Sequence, residues 1–208
     1  MSKSVIALLL AAGLASTLSA NAASTAAVEF ATGIEFANDS PWTLGYRFRA
    51  DNNITAVGLG TYDSGLDGLT GAHRIGLWDT TGNLLADTTI AVGGGTLLGH
   101  FRYQNITGIS LLAGQEYVVG SYNIDQVSTD AYAAADTGFS DGPDITFIRD
   151  QWLSGSFGFG SSTNSTDPAW FGGNLLVDRA AAVPEPGSLA LIGLGLAGLA
   201  ALRRRRTA

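Results

Sequence analysis

Between residues 28 and 177 the apolar side chains come in short runs separated by Gly, Asn and Asp, and within the runs they alternate with other residue types. Tyr46 and Phe48 fall on one side of a strand and Arg47 and Arg49 on the other; Ile75 and Leu77 oppose Gly76 and Trp78; Val57, Leu59 and Thr61 oppose Gly58 and Gly60. A period of two puts successive side chains on opposite faces of a sheet. The pattern predicts strands over residues 28–36, 44–50, 54–62, 73–79, 84–91, 96–103, 117–122, 145–148 and 171–177. Little reads as helix: residues 131–135 offer one turn at most before Gly138 and Pro143 intervene. Asp51-Asn52-Asn53 and Thr80-Thr81-Gly82-Asn83 supply residues that tolerate left-handed backbone, as tight hairpins require, and Ala113-Gly114 marks a further turn. Asn53-Ile54-Thr55 and Asn105-Ile106-Thr107 recur without a surrounding period, so no repeat architecture is expected. The expected fold is all-β, an antiparallel β-sandwich.

The two ends of the chain do not alternate. Lys3 precedes an apolar stretch over residues 5–18, followed by the small-x-small string Ala20-Asn21-Ala22. This predicts a secretory signal peptide over residues 1–22, removed by signal peptidase. At the other end stand Val183-Pro184-Glu185-Pro186-Gly187, an apolar run over residues 188–202, and then Arg203, Arg204, Arg205 and Arg206. Four arginines are costly to draw through hydrocarbon, so they are expected to stay cytoplasmic, with the preceding chain beyond the inner membrane. The fourteen uncharged residues 189–202 span roughly 21 Å as a helix, against about 30 Å of hydrocarbon. So short a transmembrane helix suits a temporary membrane stop. Pro184 and Pro186 keep the adjoining chain extended, as a protease requires. The expected organisation is a signal peptide over 1–22, a sandwich domain over 23–182 and a sorting segment over 183–208.

A Pro-Glu-Pro hinge, a short apolar run and an arginine cluster in this order resemble the PEP-CTERM sorting signal of bacterial exosortase substrates; the plain alternative is a C-terminal membrane anchor. By that resemblance Pro184, Glu185 and Pro186 form the recognition motif, and Arg203, Arg204, Arg205 and Arg206 the membrane stop. It implies cleavage by exosortase in a Gram-negative-type bacterium, through an inner-membrane intermediate, and release to the cell surface or an exopolysaccharide matrix. Gly193-Leu194-Gly195-Leu196-Ala197-Gly198 spells G-x-G-x-x-G, but no strand precedes it and no βαβ unit surrounds it, so it reads as small residues in a membrane helix. Gly193, Ala197 and Ala201 at four-residue spacing are alternatively a helix-packing face.

A second resemblance rests on Leu44-Gly45-Tyr46-Arg47-Phe48, Ile54-Thr55-Ala56-Val57-Gly58, His73-Arg74-Ile75-Gly76-Leu77-Trp78-Asp79, Gly82-Asn83-Leu84-Leu85-Ala86 and Ala113-Gly114-Gln115-Glu116-Tyr117-Val118-Val119-Gly120. These blocks, over residues 44–122, resemble an uncharacterised bacterial surface domain found in PEP-CTERM proteins and beside carbohydrate-active modules. The resemblance implies a jelly-roll-like sandwich; it carries a fold and a neighbourhood, not a reaction.

Charge changes the picture once the ends are set aside. Of 11 basic residues, Lys3 and the four terminal arginines leave with the signals, so six arginines face 18 acidic residues, a net of −12. With no basic stripe to neutralise phosphates, nucleic-acid binding is excluded. Acidity does attract divalent cations. There is no cysteine, hence no disulfide or thiolate chemistry.

Candidate chemistry is sparse. His73 and His100 are the only histidines and read as structural or surface imidazoles, one before a strand and one inside one. No metal-spaced pair exists, so zinc catalysis is not expected. Gly138-Phe139-Ser140-Asp141-Gly142 spells the nucleophile elbow G-x-S-x-G, but Pro143-Asp144 leads into a strand where the elbow needs a helix. Asp125, Asp130, Asp136, Asp141, Asp144 and Asp150 fall in one loop-rich stretch, and Asp63 and Asp67 in another. They are either a solvated acidic surface or oxygen ligands for calcium; a glycosidase carboxylate pair would need a separation in space. Trp42, Trp152, Trp170 and Phe171 lie near strand ends or loops, where exposed rings stack on sugars, although sandwiches bury most such rings, Trp78 foremost. Trp152 and Trp170 are the candidate glycan contacts. The N-x-S/T strings at Asn53, Asn105 and Asn164 are weak modification signals.

The expected function is that of an exported, exosortase-processed structural protein of the surface or exopolysaccharide matrix, without catalysis or cofactor. The alternative is a carbohydrate-binding module recognising exopolysaccharide, assisted by calcium. A hydrolase built on Ser140 or a carboxylate pair is the third class.

Overall fold

The computed structural model describes residues 24–36, 41–126, 130–163 and 166–179. The signal peptide over 1–22, Pro184, Glu185, Pro186, the apolar run and Arg203 to Arg206 lie outside the described residues. Among the described residues no helix is long and apolar enough to cross a membrane.

The body is all-β and antiparallel. A short N-terminal series, β1 (Thr25–Ala26), β2 (Val28–Glu29) and β3 (Thr32–Phe36), leads into the long strands β4 (Trp42–Ala50) and β5 (Ile54–Tyr62). A 3-10 turn at Ser64–Leu66 precedes β6 (His73–Asp79), β7 (Leu84–Ile90), β8 (Thr96–Leu98), β9 (Phe101–Leu111) and β10 (Glu116–Asn123). Then follow β11 (Tyr132–Thr137), β12 (Ser140–Asp141), β13 (Ile145–Ser154) and β14 (Gly173–Arg179). One five-stranded sheet runs β1-β14-β5-β9-β8 and the other β13-β4-β10-β6-β7, with two-stranded pairs β11-β3 and β12-β2 beside them.

Tyr46, Phe48, Ile75, Leu77 and Val119 from one large sheet join Leu59, Phe101, Leu111 and Leu175 from the other in a single apolar core. Two polar pairs cross it from one sheet to the other. Tyr46 donates its hydroxyl to Asn174 Oδ1 at 2.8 Å, and Thr61 Oγ1 lies 2.8 Å from Ser121 Oγ. Burial pushes the Tyr46 hydroxyl pKa well up, with Tyr103 adding to it. At Gly173 the sheets approach so closely that a Cβ would stand 2.7 Å from the carbonyl carbon of Gly120.

Several expectations hold to the residue: β5 and β6 span 54–62 and 73–79, and Tyr46 and Phe48 are buried while Arg49 on the opposite side is exposed. Asp79 closes the β6–β7 hairpin by accepting from the backbone N–H of Thr81 (2.8 Å) and Asn83 (3.0 Å) and from the Asn83 side chain. The Thr81 hydroxyl, which also donates to it at 2.7 Å, does most to pull its carboxyl down to about 2, with the Asn83 side chain and the two backbone bonds adding to it.

Other expectations are corrected. The Asp51-Asn52-Asn53 turn makes no hairpin, because β4 and β5 belong to different sheets; it carries the chain across the sandwich. Alternation fails over Gly58–Tyr62, where every residue is buried, because β5 is a central strand and a bulge between Ala56 and Gly58 shifts its register. The strand expected over 28–36 breaks at Phe30, whose ring turns into the core. Gly99, at φ 59°, splits the strand expected over 96–103 into the β8–β9 hairpin, so His100 sits in a turn. Residues 131–135 form no helical turn: Ala133 and Ala134 pair with Glu35 and Ile34 of β3, and Ala135 N–H donates to Pro168 O at 3.0 Å. Partner backbone on both sides outweighs alanine's helix propensity.

Candidate ligand-contact surface

The two tryptophans singled out from the sequence occupy different ring clusters. Trp170 packs 5.3 Å from Tyr132 and 6.1 Å from Phe36, and Phe36 and Tyr132 stack at 5.5 Å with an interplanar angle of 17°. Strand pairing creates this arrangement, since Tyr132 of β11 lies directly opposite Phe36 of β3. Phe36 is 39% and Ile34 52% exposed, so the cluster opens to solvent. Trp170 has φ 59°, an uncommon conformation for a bulky residue, and its indole nitrogen is buried without a hydrogen-bond partner among the described residues. Trp152, on the edge strand β13, instead meets Trp42 edge-on at 5.2 Å, and its backbone exchanges bonds with Ser162. Its indole nitrogen is likewise buried without a partner among the described residues. Among the described residues no ring contact joins the two clusters. Sequence reasoning missed Phe36 and Tyr132. Phe36 was visible only as the end of an expected strand, and Tyr132 was hidden in a segment read as a helical turn.

Trp78 is buried on the face of β6 opposite Ile75 and Leu77. Its ring lies 5.3 Å from Phe157, over which the Arg74 guanidinium sits at 4.0 Å.

The acidic residues work as local acceptors. Asp130 is buried and takes bonds from Thr70 N–H (2.9 Å), Thr70 Oγ1 (2.5 Å) and Gly71 N–H (2.6 Å), fastening the loop before β6. Asp125 accepts from Ala72 N–H, Asp136 from Thr32 Oγ1, Asp141 from Phe147 N–H, and Asp150 from Thr163 Oγ1. Asp144 accepts from Asn52 and Arg179, and Asp63 from Gly68 N–H and Arg102. Among the described residues no three His, Cys, Asp or Glu side chains gather closely enough to hold a metal ion. Ser140 is exposed on β12 and donates to Asp141 O; its strand pairs with Val28–Glu29, and no histidine is its hydrogen-bond partner among the described residues.

His73 is buried, with Nδ1 3.2 Å from Gly71 O and 3.8 Å from Asp130 Oδ2. Burial lowers its pKa, and the Asp130 charge and the Gly71 carbonyl only partly oppose that. His100 Nδ1 lies 2.7 Å from Glu29 Oε1, and its ring stacks on Phe30 at 4.9 Å. Five of the six body arginines are ion-paired: Arg47 with Glu116, Arg49 with Asp51, Arg74 with Asp87, Arg102 with Asp63 and Arg179 with Asp144. The described surface thus presents scattered cations, most of them neutralised, and an open aromatic face at Phe36.

Two family-level similarities are found, one over the body and one over the C-terminal segment. Residues 182–206 match the PEP-CTERM protein-sorting motif, which implies processing by exosortase and a cell-surface or extracellular destination. Residues 29–177 match a domain of unknown function, DUF4082, well beyond the 44–122 region that carried the resemblance in the sequence. Comparison with curated proteins and with solved structures found no match in either. Since the domain match runs from within β2 to within β14, the chain belongs to the DUF4082 family and carries a PEP-CTERM sorting motif behind that domain.

Proposed function

We propose that this is a non-catalytic structural protein of the bacterial surface or exopolysaccharide matrix, delivered by its own C-terminal handle. In this reading signal peptidase removes residues 1–22, and residues 189–202 hold an inner-membrane intermediate in a Gram-negative-type cell. Exosortase then acts at Pro184, Glu185 and Pro186, while Arg203, Arg204, Arg205 and Arg206 remain cytoplasmic. The observation that carries it is the sorting motif directly behind a sandwich-like body, in which Asp130, Asp141, Asp144 and both histidines are engaged in holding loops and strand ends. The frequent passage of the chain from one large sheet to the other favours a jelly-roll-like description. Deleting the gene should alter the cohesion of the extracellular matrix, whereas the purified protein should turn over no ester or glycoside. Turnover abolished by Ser140→Ala would contradict the reading.

A second reading, a carbohydrate-recognition module, is favoured by the solvent-open stack of Phe36 and Tyr132 against Trp170. Trp152 beside Trp42 is a separate candidate contact. A glycan array with and without chelator separates the readings. Selective binding lost in Trp170→Ala supports recognition, and loss on chelation supports calcium assistance. Absence of binding leaves the structural role.

A further inference from the structure

We infer that the outward face of the β3–β11 pair is a platform for a short run of uncharged hexose units rather than for an acidic polysaccharide, an inference that rests on the recognition reading above. Register places Thr32, Ile34 and Phe36 of β3 on the same face as Tyr132 and Ala134 of β11. On the opposite face Ala133 is fully buried and a Cβ on Gly33 would stand 2.9 Å from the Phe30 ring, while Glu35 is exposed and accepts from the Tyr62 hydroxyl at 2.8 Å.

The two ends of the platform differ in chemistry. At one, Phe36, Tyr132 and Trp170 present aromatic surface for the C–H face of a sugar. At the other, a bulge between Ala135 and Thr137 brings Asp136 and Thr137 beside Thr32. Thr32 Oγ1 lies 2.7 Å from Thr137 Oγ1 and 3.2 Å from Asp136 Oδ2, in an exposed position where sugar hydroxyls can take over these bonds. The distance along β3 from Phe36 to Thr32 is about 13 Å, room for more than one ring.

Charge selects the ligand. The face carries no basic residue, and its one group charged at neutral pH is the Asp136 carboxylate. Five of the body's six arginines are already paired, and the body's net charge is −12. A polyanion would meet repulsion at Asp136 and no compensating cation on the platform, whereas neutral hydroxyls meet acceptors.

The test is an array of neutral hexose oligosaccharides beside uronic-acid and sulfated ones, probed with the secreted, processed protein and followed by calorimetry on the hits. Neutral oligosaccharides should bind. Phe36→Ala should weaken them by about tenfold or more and Asp136→Asn by a smaller factor, while Leu97→Ala on β8 should leave them unchanged. Binding confined to acidic glycans, or neutral binding indifferent to Phe36→Ala, overturns the inference while leaving glycan recognition standing. No hit on any glycan overturns both.

Discussion

Asp130 shows how this protein uses its acidic residues. The carboxylate is buried, yet the backbone N–H groups of Thr70 and Gly71 and the Thr70 hydroxyl all point at it. Removing it leaves these donors without that acceptor, so Asp130→Ala is expected to destabilise the body by about 3 kcal/mol, measured by urea unfolding. Its neighbour His73 sets a pH dependence. Burial lowers the folded-state pKa below the ordinary 6.5, so the unfolded chain takes up the proton first as the solution is acidified. The stabilising effect is complete above 6.5 and lost as pH falls through the folded value. Stability should therefore decline below pH 6.5, and His73→Asn should flatten that decline in unfolding curves recorded across the range. From the sequence, Asp125 and Asp130 are two aspartates in an acidic stretch. That they bind the 70–72 backbone depends on β6 and β10 being neighbours, which spacing along the chain does not encode.

Apolar runs made the strands legible, on both faces of β6, where Trp78 is buried as well as Ile75 and Leu77. β4 alternates between deeper and shallower burial over residues 46–50. β5 does not, and the second half of β9 was missed because Asn105, Thr107 and Ser110 are exposed polar residues with little apolar signal. β11 was misread because alanine reports no preference that tertiary pairing must respect. Glycine-rich blocks were visible too, but not their purpose, which at Gly173 is close approach between sheets. Gly173→Ala should force the sheets apart and cost about 1–3 kcal/mol or more. Gly114 provides the contrast: a Cβ there meets nothing within 4 Å, but φ is 79°. Gly114→Ala should therefore cost about 1 kcal/mol, from backbone strain alone. Equal costs in chemical denaturation would contradict the close-approach account.

For the whole molecule, the terminal patterns said more about destination than the body said about activity. An uncharged stretch bounded by prolines and arginines is a local signal and survives without knowledge of the fold. The candidate platform is not local: Phe36, Tyr132 and Trp170 are far apart in the chain and meet through the β3–β11 pairing and the Ala133–Phe171 bridge beside it. Trp170 was accessible to sequence reasoning as a loop tryptophan, but its ring partners were not. The two terminal segments also explain why the full chain misstates the charge of the working protein: Lys3 and the four terminal arginines are absent from the body, which carries −12 where the whole chain carries −7. The most direct test is intact-mass spectrometry of the extracellular protein from cells with and without exosortase. With exosortase, the mass should correspond to a chain ending near Pro184, Glu185 and Pro186, without residues 189–202 or the four arginines; without it, uncleaved protein should remain with the membrane. Extracellular protein that keeps Arg203 to Arg206 in exosortase-competent cells would contradict delivery by a disposable handle.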